Sequence, residues 1–211
     1  MRSLLRALIA LLFLSCLTAG CSKDGQLTGD VFIVTAGGQS IPLGLILIQV
    51  FPEEVFFPFL EAKIARAKTE MEKLEPQLTA AEATAKEAQD VAKRADPWDI
   101  GKRREADARL ADFRALVDRA GEWRLPKYYF EDLPTPLVTT RSDANGRFNL
   151  TLNRSKRYVL AAQGSRLVGD TPEKYFWCLE VSLNGKKAGR ILVSNDTFFD
   201  FSRIPTQVQV E

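Results

Sequence analysis

The feature that most limits how this chain can fold is a helical seam set between two β-patterned halves. Leu60, Ile64, Ala67, Met71, Leu74, Leu78, Ala81, Ala85, Ala88, Ala92 and Ala95 alternate spacings of four and three. Only an α-helix with one apolar edge places such residues in line, and the period is that of a coiled coil. Pro76 lies inside the seam without shifting its phase, which predicts a kink rather than an end. The stretch RADPWDIGK reverses the chain, and Ala106, Leu110, Phe113, Val117 and Ala120 make a second, shorter seam. Glu82–Lys86, Asp90–Arg94 and Glu105–Arg109 stand four apart in the favourable order. Residues 53–126 are therefore expected to form an antiparallel helical hairpin. The two helices differ in length, and the stretch 123–136, carrying Pro126, Pro134 and Pro136, is expected to be extended and to absorb the difference.

The flanks carry the other period. QLTGDVFIVT reads as a strand, AGGQS as a turn, and LGLILIQVF (43–51) as a continuous apolar strand covered on both faces. After the hairpin, Phe148, Leu150 and Leu152 alternate with Asn149, Thr151 and Asn153. RYVLAAQ, KYFWCLEVSL and RILVSN follow, with Asn184-Gly185 as a hairpin turn. The sum is an α+β chain: a seven-stranded antiparallel β-sandwich over 27–52 plus 127–201, with the helical hairpin inserted between strands two and three. Residues 21–26 read as a tether and 202–211 as a C-terminal tail.

The first twenty residues have a separate grammar. Arg2 and Arg6 are their only charges, Ala7–Leu14 is unbroken apolar chain, and small residues end at Gly20. That is the order of a signal peptide, and the apolar run falls short of the ~20 residues of a membrane span. The sequence LTAGC resembles the lipobox of bacterial lipoproteins. The resemblance implies that Cys21 is the first residue after cleavage and that its thiol is acylated with palmitate-type chains. Thr18 stands where the strongest form of that motif has Leu. Cys16 offers a competing site, and Cys21 is preferred because Ala19-Gly20 precede it and SKDG follows. The implied location is the extracytoplasmic side of the cell membrane or outer membrane, held by lipid, with Ser22 in the position that favours the outer membrane.

Removing 1–20 would leave the chain with 27 acidic residues and as many basic ones. A nucleic-acid partner is not expected from such a balance. There is no histidine among 211 residues and only three cysteines, so neither a metal site nor a disulfide framework is expected. No G-x-S-x-G, Gly-rich phosphate loop or metal spacing occurs, so the chain is not expected to be an enzyme or to hold a cofactor. Cys178 reads as a buried small side chain rather than a reactive thiol. Tyr128, Tyr129, Tyr175 and Trp177 either form a ligand surface or pack the core and the hairpin base. SDANG is a turn, since a calcium loop needs more carboxylates at alternate positions.

Gly29-Asp30-Val31-Phe32, Thr140 to Phe148 (TTRSDANGRF from Thr139) and Tyr158-Val159-Leu160-Ala161-Ala162 together resemble the carboxypeptidase regulatory-like domains, sandwiches of transthyretin-like topology. The resemblance covers roughly residues 27–51 and 137–163. It implies an accessory or binding module without catalysis, here departing from the family by its helical insertion. The expected function is a lipid-anchored envelope protein that meets a protein partner through residues 59–122. The alternative is a glycan- or peptide-binding module using the aromatic residues of the sandwich.

Overall fold

The computed structural model describes residues 23–199, 206–207 and 210. Cys21 and the leader lie outside the described residues. The chain is α+β, with two sheets of mostly antiparallel strands stacked as a sandwich and a long helical segment. The first sheet holds β1 (Asp24–Val34) at its centre, flanked by β5 (Arg147–Asn153) and β8 (Ala188–Val193), with the short β2 (Ser40–Pro42) pairing the end of β1. The second runs in the order β4 (Val138–Arg141), β3 (Leu47–Pro52), β6 (Arg157–Val168), β7 (Thr171–Ser182) and β9 (Thr206–Gln207).

Among the described residues nine strands stand where seven are expected, because β2 and β9 are too short to leave a periodic signal. The sheets are also not wholly antiparallel: β1 pairs β8 in parallel, and β7 pairs β9 in parallel. Alternation reports which face a residue takes and is silent about strand direction. Asp24, Gly25 and Gln26, expected in a tether, already pair with Asn153, Leu152 and Thr151. Thr206–Gln207 likewise takes part of the expected tail into the second sheet.

The core between the sheets is built from the alternating residues. Leu27, Val31, Phe148, Leu150 and Leu152 from one sheet meet Ile48, Val50, Leu160, Trp177, Leu179 and Val181 from the other. At Asn184-Gly185 both residues have positive φ, 50° and 80°, the backbone of the tight turn expected there.

The apolar run 43–51 does not form one strand. Leu45 has φ 61° and is 73% exposed, and β3 begins only at Leu47. Gly44 and the left-handed backbone at Leu45 break the run, and buried Ser142 then holds the broken stretch. Its Oγ donates to the Leu43 carbonyl at 2.8 Å and accepts from Ile46 N–H at 3.0 Å. Ser142→Ala would leave both backbone groups without a partner. It is expected to lower stability by about 1–3 kcal/mol, measured as a fall in the urea midpoint with unchanged slope.

The hairpin consists of α1 (Glu53–Arg94) and α2 (Ile100–Glu122), packed against each other, followed by the one-turn α3 (Pro126–Phe130). α1 starts earlier than its seam. Glu53 and Glu54 occupy the first turn, where the helix dipole favours acids. Pro58 and Pro76 sit within this single helix, both on exposed positions, so the carbonyls they leave unpaired lie beside solvent-exposed turns. α3 is helical where extended chain is expected, because Pro126 is at its start and the missing N–H costs nothing there. The length mismatch is absorbed differently as well. The first turns of α1 lie on the second sheet, and only the remainder pairs with α2.

This makes a third layer. Phe51, Val159, Ala161 and Cys178, on the outer face of the second sheet, are buried under Phe56, Leu60, Ala67, Tyr129 and Phe130. α1 enters this layer at the sandwich end that holds Lys23, whose carbonyl accepts from Arg154 N–H. Glu53 pairs there with Arg157 at 2.8 Å, and Arg157 also pairs with Glu180. By Lys127 the base of the hairpin has passed the middle of β6, beside Gln163 and Gly164, and lies near Lys174 toward the start of β7. The hairpin thus leaves the sandwich at the end away from Lys23.

Candidate functional site

The base of the hairpin is closed by a reciprocal clamp. Lys63, in α1, donates to the Tyr128 carbonyl at 3.2 Å, and the Tyr128 hydroxyl donates back to the Lys63 carbonyl at 3.3 Å. The Lys63 ammonium lies 4.6 Å from the Tyr128 ring centroid and 5.6 Å from that of Phe59, and 3.8 Å from the Asp132 carboxylate. Its side chain is only 13% exposed, so these partners replace most of its water. Tyr128 meets Trp123 edge-on at 5.0 Å, and Arg66 lies 5.8 Å from the Trp123 ring. Glu122, Lys127 and Glu131 complete an open cleft of about 510 Å³.

The cleft offers ring faces and mutually neutralised charges. It holds no nucleophile paired with a base. Burial raises the Tyr128 and Tyr129 hydroxyls above their ordinary value, which keeps both phenols neutral. Among the described residues, no group of three or more Cys, Asp or Glu side chains is placed to hold a metal ion.

The four aromatic residues named from the sequence do not share a surface. Trp177 is fully buried between the sheets, its Nε1 donating to the Ser194 carbonyl at 2.9 Å. Tyr175 is buried beside it at 5.9 Å and stacked on Phe198, with its hydroxyl donating to Glu173. Tyr129 is buried on the other side of the same sheet against Phe199, its hydroxyl donating to the Trp123 carbonyl at 3.3 Å. Only Tyr128, half-buried, reaches the cleft. Period two assigns Tyr175 and Trp177 to one face of β7. It leaves open whether that face is core or surface, and the opposing sheet makes it core.

Cys178 is 1% exposed, and burial pushes its thiol up from the ordinary value of 9.0 to about 12. Folding thus favours the protonated thiol. That share of stability is complete below about pH 9 and is lost as pH rises toward about 12. The thiol is expected to ignore a thiol-specific chromogenic reagent at pH 8 and to react stoichiometrically once the protein is unfolded in guanidinium.

Sequence patterning also passes over the distal end of the hairpin. Asp96 Oδ1 accepts from Trp98 N–H at 2.8 Å, and the Asp96 carbonyl accepts from Asp99 N–H at 2.9 Å. Asp99 then caps α2 by accepting from Lys102 N–H at 3.1 Å. This ordered turn leaves Trp98 86% exposed. The signal was a Trp between two aspartates at a helix reversal, where packing needs none. Asp90 pairs with Lys93 at 3.8 Å rather than with Arg94, whose Nε donates to the Asp90 carbonyl. Among the described residues no helix is long and apolar enough to cross a membrane.

No family model and no curated protein matches this chain. Two solved structures are similar to it at low identity. A Pseudomonas aeruginosa protein, described as a candidate carbohydrate binding protein, is 12% identical with a TM-score of 0.34, over 82% of this chain and 88% of that one. The pilus backbone of Streptococcus pneumoniae is 13% identical with a TM-score of 0.21, over 72% of this chain and 34% of that one. Both superpositions are too loose to assign a function.

Proposed function

We propose that this is a non-catalytic cell-envelope protein, anchored by lipid on Cys21, whose sandwich carries the helical hairpin as a contact element for a protein partner. In the same proposal the sandwich is a transthyretin-like, carboxypeptidase regulatory-like module with the hairpin as its insertion. The observation that carries it is the incomplete cover of the seam. Two helices hide only part of it: Ile64 is 40% and Val117 44% exposed, and Met71, Leu78, Leu110 and Phe113 remain half-buried. A further helix laid along this edge would complete the packing, as in a helix-in-groove complex.

The test uses the whole chain in its native membrane. Cys21→Ala is expected to lose acylation and processing, while Cys16→Ala changes neither, both read by mass spectrometry of the N-terminus. A photo-crosslinker at Leu78 should capture one protein, and Val117→Lys should abolish the capture without altering thermal unfolding. Capture that persists in Val117→Lys would sink the hairpin as the contact.

A second reading, a peptide or glycan held at the cleft, draws on the half-buried rings of Trp123 and Tyr128 beside Lys63 and Arg66. Trp123→Ala would then abolish ligand binding and leave the Leu78 crosslink intact.

A further inference from the structure

The end of the hairpin exposes a tryptophan. Trp98 is 86% exposed and Ile100 59%, whereas Trp177 is fully buried and Trp123 half-buried. The turn beneath Trp98 is held by its own hydrogen bonds, so the ring is presented in place. Around it, residues 93–104 carry five cations, Lys93, Arg94, Lys102, Arg103 and Arg104, against two acids, Asp96 and Asp99, with Asp90, Glu105 and Asp107 flanking the segment. All five cations are exposed. Both acids are occupied within the turn, Asp96 by Trp98 N–H and Asp99 by Lys102. Among the described residues no ion pair involves Arg103 or Arg104.

From this arrangement we infer that the hairpin tip docks on an anionic lipid surface. Trp98 and Ile100 enter the boundary between headgroups and acyl chains, and Arg94, Arg103 and Arg104 meet lipid phosphates, since Lys93 and Lys102 are paired with Asp90 and Asp99. A Trp ring, apolar with one N–H donor, is suited to that boundary. Two side chains on a narrow turn offer an apolar area of a few hundred Å², below the roughly 450 Å² of apolar surface that each side of a standard protein interface buries. A bilayer has no such minimum, because shallow insertion adds to electrostatic attraction. The surface is separate from the seam and does not depend on a protein bound there.

Fluorescence of the full chain tests it. Subtracting the Trp98→Phe spectrum isolates Trp98 from Trp123 and Trp177. With vesicles of brominated phosphatidylglycerol, the Trp98 emission should shift to the blue and be quenched. Each cation contributes about fivefold to partitioning, so Arg103→Gln/Arg104→Gln should need roughly 25-fold more lipid for the same quenching. Residues 1–22 are common to all three chains, so any contact they make with the vesicles does not distinguish them. The inference is overturned if Trp98 stays unquenched at saturating phosphatidylglycerol. Equal quenching on phosphatidylcholine overturns it as well, as does equal quenching of the double variant. A protein crosslinked through position 98 in the absence of lipid quenching would reassign the tip to a protein contact.

Discussion

Replacing Met71–Asp118 by a short Gly/Ser linker is expected to leave a folded, cooperatively unfolding protein that has lost most of its helical circular dichroism. Excising residues 53–125 is expected to be far more damaging. The difference follows from the third layer. The distal helices pack only on each other, and Glu70 and Arg119 are close enough at the cut for Arg119 to help hold the Glu70 carboxyl below its ordinary value, after Lys73 and Arg66. Loop closure there depends weakly on what is removed. The first turns of α1 instead cover Phe51 and Val159, both fully buried on the outer sheet face. At about 1.5–3 kcal/mol for each large side chain returned to water, uncovering these two alone costs about 3–6 kcal/mol. A domain has only ~5–15 kcal/mol in total. Thermal unfolding of the two deletions decides between one continuous structure and a detachable hairpin. Equal melting temperatures would mean that α1 contributes nothing to the sandwich.

Gly146→Ala is expected to destabilise by about 3 kcal/mol or more. Gly146 has φ 78°, and a Cβ there would stand 2.3 Å from the Val31 carbonyl oxygen and 3.3 Å from Leu43 N. Those atoms are fixed by hydrogen bonds: Val31 N–H donates to the Gly146 carbonyl and Leu43 N–H to the Val31 carbonyl, each at 2.8 Å. Neither can retreat without breaking the junction of β1, the Asp143 turn and the loop after β2. Gly169→Ala is the control. Its φ is 61° and nothing lies within 4 Å of the added carbon, so only the left-handed backbone penalty of about 1–2 kcal/mol applies. Equal losses in the two variants would reduce the Gly146 effect to conformation and remove the steric argument.

The TTRSDANGRF stretch could be read as a turn because its chemistry is local. Asp143 Oδ1 accepts from Asn145 N–H at 2.8 Å and Arg147 N–H at 2.9 Å, contacts that sequence spacing alone implies. The core of β5 and the hairpin turn at Asn184-Gly185 were legible for the same reason. Leu43–Ile46 misleads because four apolar-rich residues look like strand, and what bends them is Ser142, nearly a hundred residues on. The early start of α1 is masked by Pro58, which a helix tolerates only because that position is exposed. The candidate aromatic surface was least legible. Tyr129 and Tyr175 share composition and spacing with surface rings, and only the packing of two opposite sheet faces buries both.

The continuity of α1 has a mechanical consequence. One backbone runs from the edge of β3 to the turn that carries Trp98, with no loop between them. At 1.5 Å per residue its 42 residues make a strut about 63 Å long. Load applied at the tip therefore reaches the sandwich along one helical backbone, in which Pro58 and Pro76 mark the missing hydrogen bonds, and the strut acts as a ruler. Adding seven residues to each helix would extend its reach by about 10.5 Å and keep Trp98 nearly on the same azimuth. Adding four would extend it by about 6 Å and turn the ring by roughly 40°. The length of the hairpin fixes how far from the sandwich the tip can work, and the heptad fixes the direction it faces.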